Sequence, residues 1–219
     1  DKLKLSAGSW ATHVGYELVD PYLNRNYSMS YMFSFGPFFH TGLKAEYTAG
    51  KNSFMVELLN PTDLKSANFQ QKMLGAQYGY AASDNWKFYV SYIGGKMDEE
   101  LNLQQVDAVI LGTITDKFSI GYNGTVQSKK YKDEDGKYGS ADSWWGSALY
   151  FNIDPSSKFG LTLRGEYIGD KKAVLDIIEG NIFSTTLSAN FKVGPLTIIP
   201  EFRVDNGNKM LFVKNNGAP

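Results

Sequence analysis

Cysteine is absent from the sequence, which excludes a disulfide framework and thiolate metal sites. Nor does any apolar run approach the roughly 18 residues of a membrane-crossing helix, so a helical membrane protein is excluded. An excess of charge of one sign is missing too. The formal net charge is -1, which leaves no electrostatic footprint for nucleic acid and no polybasic membrane anchor. No Gly-x-Ser-x-Gly elbow occurs. No leader pattern precedes Asp1, since Lys2 already enters a strand pattern, and Asn215 to Pro219 reads as a loop rather than a closing strand. The expectation is one β domain over residues 1–219, with strands lacking at both ends.

What the sequence does contain is alternation. From Gln105 to Gln127 two long runs flank a tight turn at Thr115-Asp116. Side chains on a strand alternate between faces. Val106, Ala108, Ile110, Gly112 and Ile114 therefore share one face, and Gln105, Asp107, Val109, Leu111 and Thr113 the other. In the second run Phe118, Ile120, Tyr122, Gly124 and Val126 oppose Lys117, Ser119, Gly121, Asn123, Thr125 and Gln127. Each run is about ten residues long, the length a tilted strand needs to cross a bilayer. Strands of soluble domains are nearer five or six.

The same pattern recurs along the chain and predicts about eleven strands. They cover Lys2–Trp10, Phe39–Thr48, Phe54–Asn60, Gln70–Tyr80, Trp86–Ile93, the two runs above, Trp144–Ile153, Phe159–Ile168, Ile182–Val193 and Leu196–Asp205. The connections alternate between short ones near residues 50, 83, 115, 155 and 194 and long ones near 24, 65, 98, 135 and 174. Outer-membrane barrels show this asymmetry. The fold class predicted is all-β, a transmembrane antiparallel up-and-down barrel.

Alternation alone leaves open which face points inward, because a lipocalin-like barrel buries its apolar face. Three features favour apolar outside. About eleven strands enclose more space than side chains fill. Charges stand in mid-strand on the polar face, where a wet interior tolerates them and a bilayer does not. Aromatics gather on the apolar face beside the short turns: Tyr47, Phe54, Tyr80, Trp86, Phe118, Phe151, Phe159 and Phe191. A second set, Phe39, Tyr92, Trp145, Phe183 and Phe202, lies toward the long loops. These are the expected interfacial girdles.

Ala11 to Glu17 (Ala-Thr-His-Val-Gly-Tyr-Glu), Asn24 to Tyr31 (Asn-Arg-Asn-Tyr-Ser-Met-Ser-Tyr) and Phe35 to Gly42 (Phe-Gly-Pro-Phe-Phe-His-Thr-Gly) together resemble the β-barrel porins of the OmpL-like family. Leu58 to Asp63 extends the likeness, which covers roughly a quarter of the chain in its specific part. The resemblance implies an outer membrane of Bacteroidetes-type bacteria, a general porin function, and no catalytic residue.

The polar face carries the functional expectation. Lys44, Glu46, Glu57, Asp107, Arg164, Glu166, Glu201 and Arg203 are expected to line a pore. There, opposed charges would set a transverse field, or else form an internal salt-bridge network that fills the barrel. The connection from Ala11 to Pro37 holds Arg25, Tyr27, Met29, Tyr31, Phe33 and Phe35. It is too apolar for a solvated loop, so it is expected either to fold inward and constrict the pore or to pack against another envelope protein. His13 and His40 read as hydrogen-bonded loop and interior histidines. Asp133-Glu134-Asp135-Gly136 lacks the ligand spacing of an EF-hand, and Asn123-Gly124-Thr125, though a glycosylation sequon, faces the interior. No metal and no cofactor is expected, nor an enzyme. The partners expected are outer-membrane lipid and small hydrophilic solutes. The leading reading is a passive diffusion porin; the alternative is a plugged barrel serving as a subunit or anchor of a larger complex.

Overall fold

A computed structural model describes residues 2–67, 71–175 and 180–209. Twelve antiparallel strands form one sheet: β1 (Leu3–Ala11), β2 (Phe39–Ala49), β3 (Asn52–Leu59), β4 (Met73–Ala81), β5 (Trp86–Lys96), β6 (Leu101–Thr115), β7 (Phe118–Tyr131), β8 (Asp142–Ser156), β9 (Phe159–Asp170), β10 (Gly180–Val193), β11 (Leu196–Ile198) and β12 (Glu201–Gly207). Each strand from β1 to β10 pairs with the next in sequence, and β10 takes both β11 and β12 along its free edge. The all-β, up-and-down architecture expected from alternation is present. Among the described residues β1 and β12 do not pair, so the sheet is open there. No described helix is long and apolar enough to cross a membrane.

Three details correct the sequence reading. The run Leu196–Asp205 is two strands, because Pro200 has no N–H to donate to the ladder and interrupts it. The glycine-rich stretch after Ile93 is not a loop. Gly94 and Gly95 pair with Leu74 and Met73 inside β5, and β6 begins at Leu101, which leaves a tight turn where a long loop is predicted. Ser128 to Tyr131 likewise continue β7. Gln70, the predicted start of β4, and the terminal stretch 215–219 lie outside the described residues.

The faces are decided by pairs in the middle of the sheet. Val106 is paired with Val126, and both are 51% exposed. The next pair, Asp107 with Thr125, is 2% and 4% exposed. The pattern holds around the sheet: Leu43, Val56, Leu74, Val90, Leu149, Leu163 and Leu187 point outward, while Gln105, Asn123, Asn152, Thr162, Thr186 and Ser188 are buried on the inner side. In water this arrangement would be inverted, since burying polar groups without partners costs free energy and exposing apolar area forfeits about 25 cal/mol per Å². Apolar outside and polar inside suits a surrounding hydrocarbon solvent.

Candidate functional site

Residues 12–38, between β1 and β2, fold onto the concave inner face and reach strands from β2 to β12. The segment is irregular, with a short 3-10 helix at Pro21–Leu23 and one α-helical turn, α1, at Tyr31–Ser34. Such a segment carries many unpaired backbone N–H and C=O groups, which must find partners once buried. The inner-face side chains supply them.

Carboxylates do most of this. Glu166 on β9 accepts from the N–H groups of Tyr31 and Met32 at 2.9 and 2.8 Å, at the start of α1, where free donors and the local dipole favour an anion. Ser30 caps the same turn by accepting from Phe33 N–H at 3.1 Å. Glu201 on β12 accepts from Tyr27 and Ser28 N–H and from the Ser188 hydroxyl. Asp107 on β6 accepts from Gly15 N–H, and Asn123 on β7 accepts from Tyr16 N–H while donating to Asp107. Asp63, in the 60–72 connection, takes Phe38 and Phe39 N–H at the far end of the segment.

The cations hold carbonyls and three carboxylates. Arg164 on β9 is fully buried. It donates to Glu17 at 2.6 Å, to Ser28 O at 2.8 Å and to Thr186 Oγ1 at 3.1 Å. Glu17 also accepts from Tyr150 Oη–H and Ser30 N–H, so both charges of the pair have several partners, while Arg164 Nε has none. Arg203 on β12 donates to Met29 O and Asp205 and lies over the Tyr31 ring at 4.6 Å. Arg25, from the segment itself, forms a two-pronged bond to Asp154 and a third to Thr162.

Apolar contacts fix the register. Met32 enters a core of Trp144, Ala148, Ile168 and Ile182, and a Cβ on Gly146 would collide with the Met32 side chain. Val14 enters a second core with Leu59, Met73, Ile93 and Leu103. Tyr16 stacks on Tyr150 with ring centroids 4.1 Å apart, and burial raises the pKa of its hydroxyl. Burial also raises that of Tyr31.

Glu57, Asp107, Arg164 and Glu166, expected to face water, are instead covered by residues 12–38 and nearly inaccessible. Opposed charges across open water are therefore not what these four form. Lys44, Glu46, Glu201 and Arg203 stay partly open on the inner side. Of the segment residues, Phe33 is buried, Arg25, Met29, Tyr31 and Phe35 are half-buried, and Tyr27 is exposed. Tyr47, Phe54, Tyr80, Phe151 and Phe191 are exposed on the outer face, with Trp86, Phe118 and Phe159 half-covered beside them at the short-turn end. Sequence reasoning missed Glu17, Tyr150 and Trp144. Glu17 had a signal, as a lone acid in an otherwise uncharged stretch from Ala11 to Val19.

The family described as "Putative beta-barrel porin-2, OmpL-like" matches residues 1–219. Among solved structures, the crystal structure of a double variant of OccD1 (OprD) is similar, with a TM-score of 0.51 at 13% identity. The likeness covers 98% of this chain and 58% of that one, so the chain spans little more than half of the solved protein. No curated protein matches the sequence.

Proposed function

From the premise that the chain belongs to the OmpL-like beta-barrel porin-2 family, we propose that it forms the wall and constriction of an outer-membrane diffusion porin. The observation that carries this reading is the inner face itself: buried polar and charged side chains within a sheet whose outer face is apolar. Small hydrophilic solutes or ions would pass, without energy input, through the part of the interior that residues 12–38 leave open, beside Lys44, Glu46, Glu201 and Arg203. The outward aromatics would sit at headgroup depth. The bacterial outer membrane is the compartment this reading requires.

One observation favours a second reading. The inward segment is held by a buried ion pair, Arg164 with Glu17, and by backbone bonds to four carboxylates outside it. So firm a plug suits a structural barrel that anchors other envelope proteins. Planar-bilayer recordings separate the two. A porin gives steady conductance that rises when Asn24 to Ser34 is deleted. Silence from both the intact and the shortened protein would leave only the structural role.

A further inference from the structure

Where the inward segment leaves β1, three side chains converge that the pore reading does not use. His13, from the segment, His40, on β2, and Glu57, on β3, each offer one ligand-type atom, and these atoms lie within 4.8 Å of one another. His40 and Glu57 are 0% and 3% exposed, and the His13 side chain is 7% exposed. Three of their atoms, His13 Nδ1, His40 Nδ1 and Glu57 Oε1, make no aligned hydrogen bond, although His13 Nδ1 and Glu57 Oε1 lie 2.8 Å apart as an ion pair. Buried polar atoms left without aligned bonds are costly, and one ion held by all three groups would satisfy them at once.

The outer atoms of the same groups are all engaged. His13 Nε2 lies 3.1 Å from Tyr92 O, and a carbonyl only accepts, so Nε2 carries a proton. In the neutral ring the Nδ1 lone pair then faces Glu57 Oε1, 2.8 Å away, in an approach not aligned as a hydrogen bond. Two lone pairs at that distance repel unless a cation lies between them. His40 Nε2 is 2.9 Å from Thr12 Oγ1, which also accepts from Val14 N–H. Glu57 Oε2 accepts from Trp10 Nε1–H at 3.0 Å, which leaves Oε1 to face His13 Nδ1. Each ligand thus has a second partner that orients it, the supporting arrangement typical of protein metal sites. A Cβ on Gly75 would collide with the Glu57 carboxylate, so the glycine makes room for it. A protonated His13 would satisfy Glu57 but would leave His40 Nδ1 buried and unpaired.

We propose that His13 Nδ1, His40 Nδ1 and Glu57 Oε1 bind one divalent first-row transition-metal ion, which ties the root of the inward segment to β2 and β3. Two imidazoles and a carboxylate are a ligand set that Zn²⁺ accepts, with water completing a tetrahedron. Bonds of about 2.0–2.1 Å set tetrahedral ligand atoms about 3.3 Å apart, which small side-chain rotations here would reach. The ion is a fastener for the segment and takes no part in solute passage.

The test uses the untagged chain, folded in detergent and stripped with a chelator. Both histidines of the sequence belong to this cluster, so histidine-dependent metal binding has no other source. Zn²⁺ titrated by calorimetry should bind one ion per chain and raise the thermal unfolding midpoint. Co²⁺ in its place should give the visible absorption of a tetrahedral nitrogen–oxygen site, and Zn²⁺ should protect both histidines from diethylpyrocarbonate. These readings need no variant. His13→Asn, outside the strands, and Glu57→Gln should each weaken Zn²⁺ binding about 100-fold or more, and Trp10→Phe, which removes only the supporting donor, about 10-fold. No binding below millimolar Zn²⁺, or an affinity that His13→Asn and Glu57→Gln leave unchanged, would overturn the site.

Discussion

Glu17 and Arg164 meet at 2.6 Å, both out of contact with solvent, although one leaves the sheet with the inward segment and the other sits in the middle of β9. Removing one partner leaves the other charge buried and unpaired, which costs about 3–5 kcal/mol. Arg164→Met should therefore destabilise the folded protein by about that amount, read from urea unfolding followed by tryptophan fluorescence in detergent. The pair Glu17→Gln with Arg164→Met should recover much of the loss, because Glu17 is then no longer left as a buried charge without its partner. A double variant as unstable as the sum of the singles would mean that the two charges do not act as a pair.

Glu166 holds the start of α1 by two backbone N–H groups. Glu166→Gln keeps the shape but loses the charge, and bonds to a charged acceptor contribute about 1.5–3 kcal/mol. The expected result is a segment that detaches more often, seen as larger and noisier single-channel conductance with the strands intact by circular dichroism. Conductance identical to the unmodified protein would show that α1 is fastened elsewhere.

The outer and inner faces are legible in the sequence because an apolar outer face and a polar inner face impose a period of two that no other constraint overrides here: counting places Phe118, Ile120 and Val126 on the outer face. The strand ends were less so. Gly94 and Gly95 have no side chains to alternate, and backbone pairing with Met73 and Leu74 extends β5 through them. Pro200 is legible as a break in the ladder, since it lacks the N–H that pairing needs. The docking partners of residues 12–38 were not legible. The segment's apolar character indicated an inward path, but its partners stand up to 174 residues away in sequence and are brought beside it only when the sheet curls. His13 and His40 are a case in point, since each has an ordinary role alone and only the fold sets their rings 5.1 Å apart.

Leu149 lies mid-strand in β8 and is 47% exposed on the outer face. If that face meets hydrocarbon, Leu149→Arg should cost about 2–4 kcal/mol in folding into lipid vesicles, with a smaller penalty for outward positions nearer the strand ends. An outward residue in water would tolerate the same change to within about 0.5 kcal/mol. Folding yields indifferent to Leu149→Arg would place this face in water and remove the basis for a membrane barrel.

Tyr16 links the segment to pH. Its hydroxyl is buried against Tyr150 and titrates above the ordinary value of 10.0, because burial penalises the phenolate more than the Asn152 hydrogen bond and the Arg25 charge favour it. The folded state then holds this proton more tightly than the unfolded chain. Above pH about 10 unfolding releases it, so stability present below that pH declines as alkali is added, until the folded group also ionises. Tyr16→Phe cannot ionise and should flatten this part of the alkaline denaturation curve, while leaving the region below pH 9 parallel to the unmodified protein. A curve for Tyr16→Phe as steep as the original above pH 10 would assign the alkaline loss to other groups.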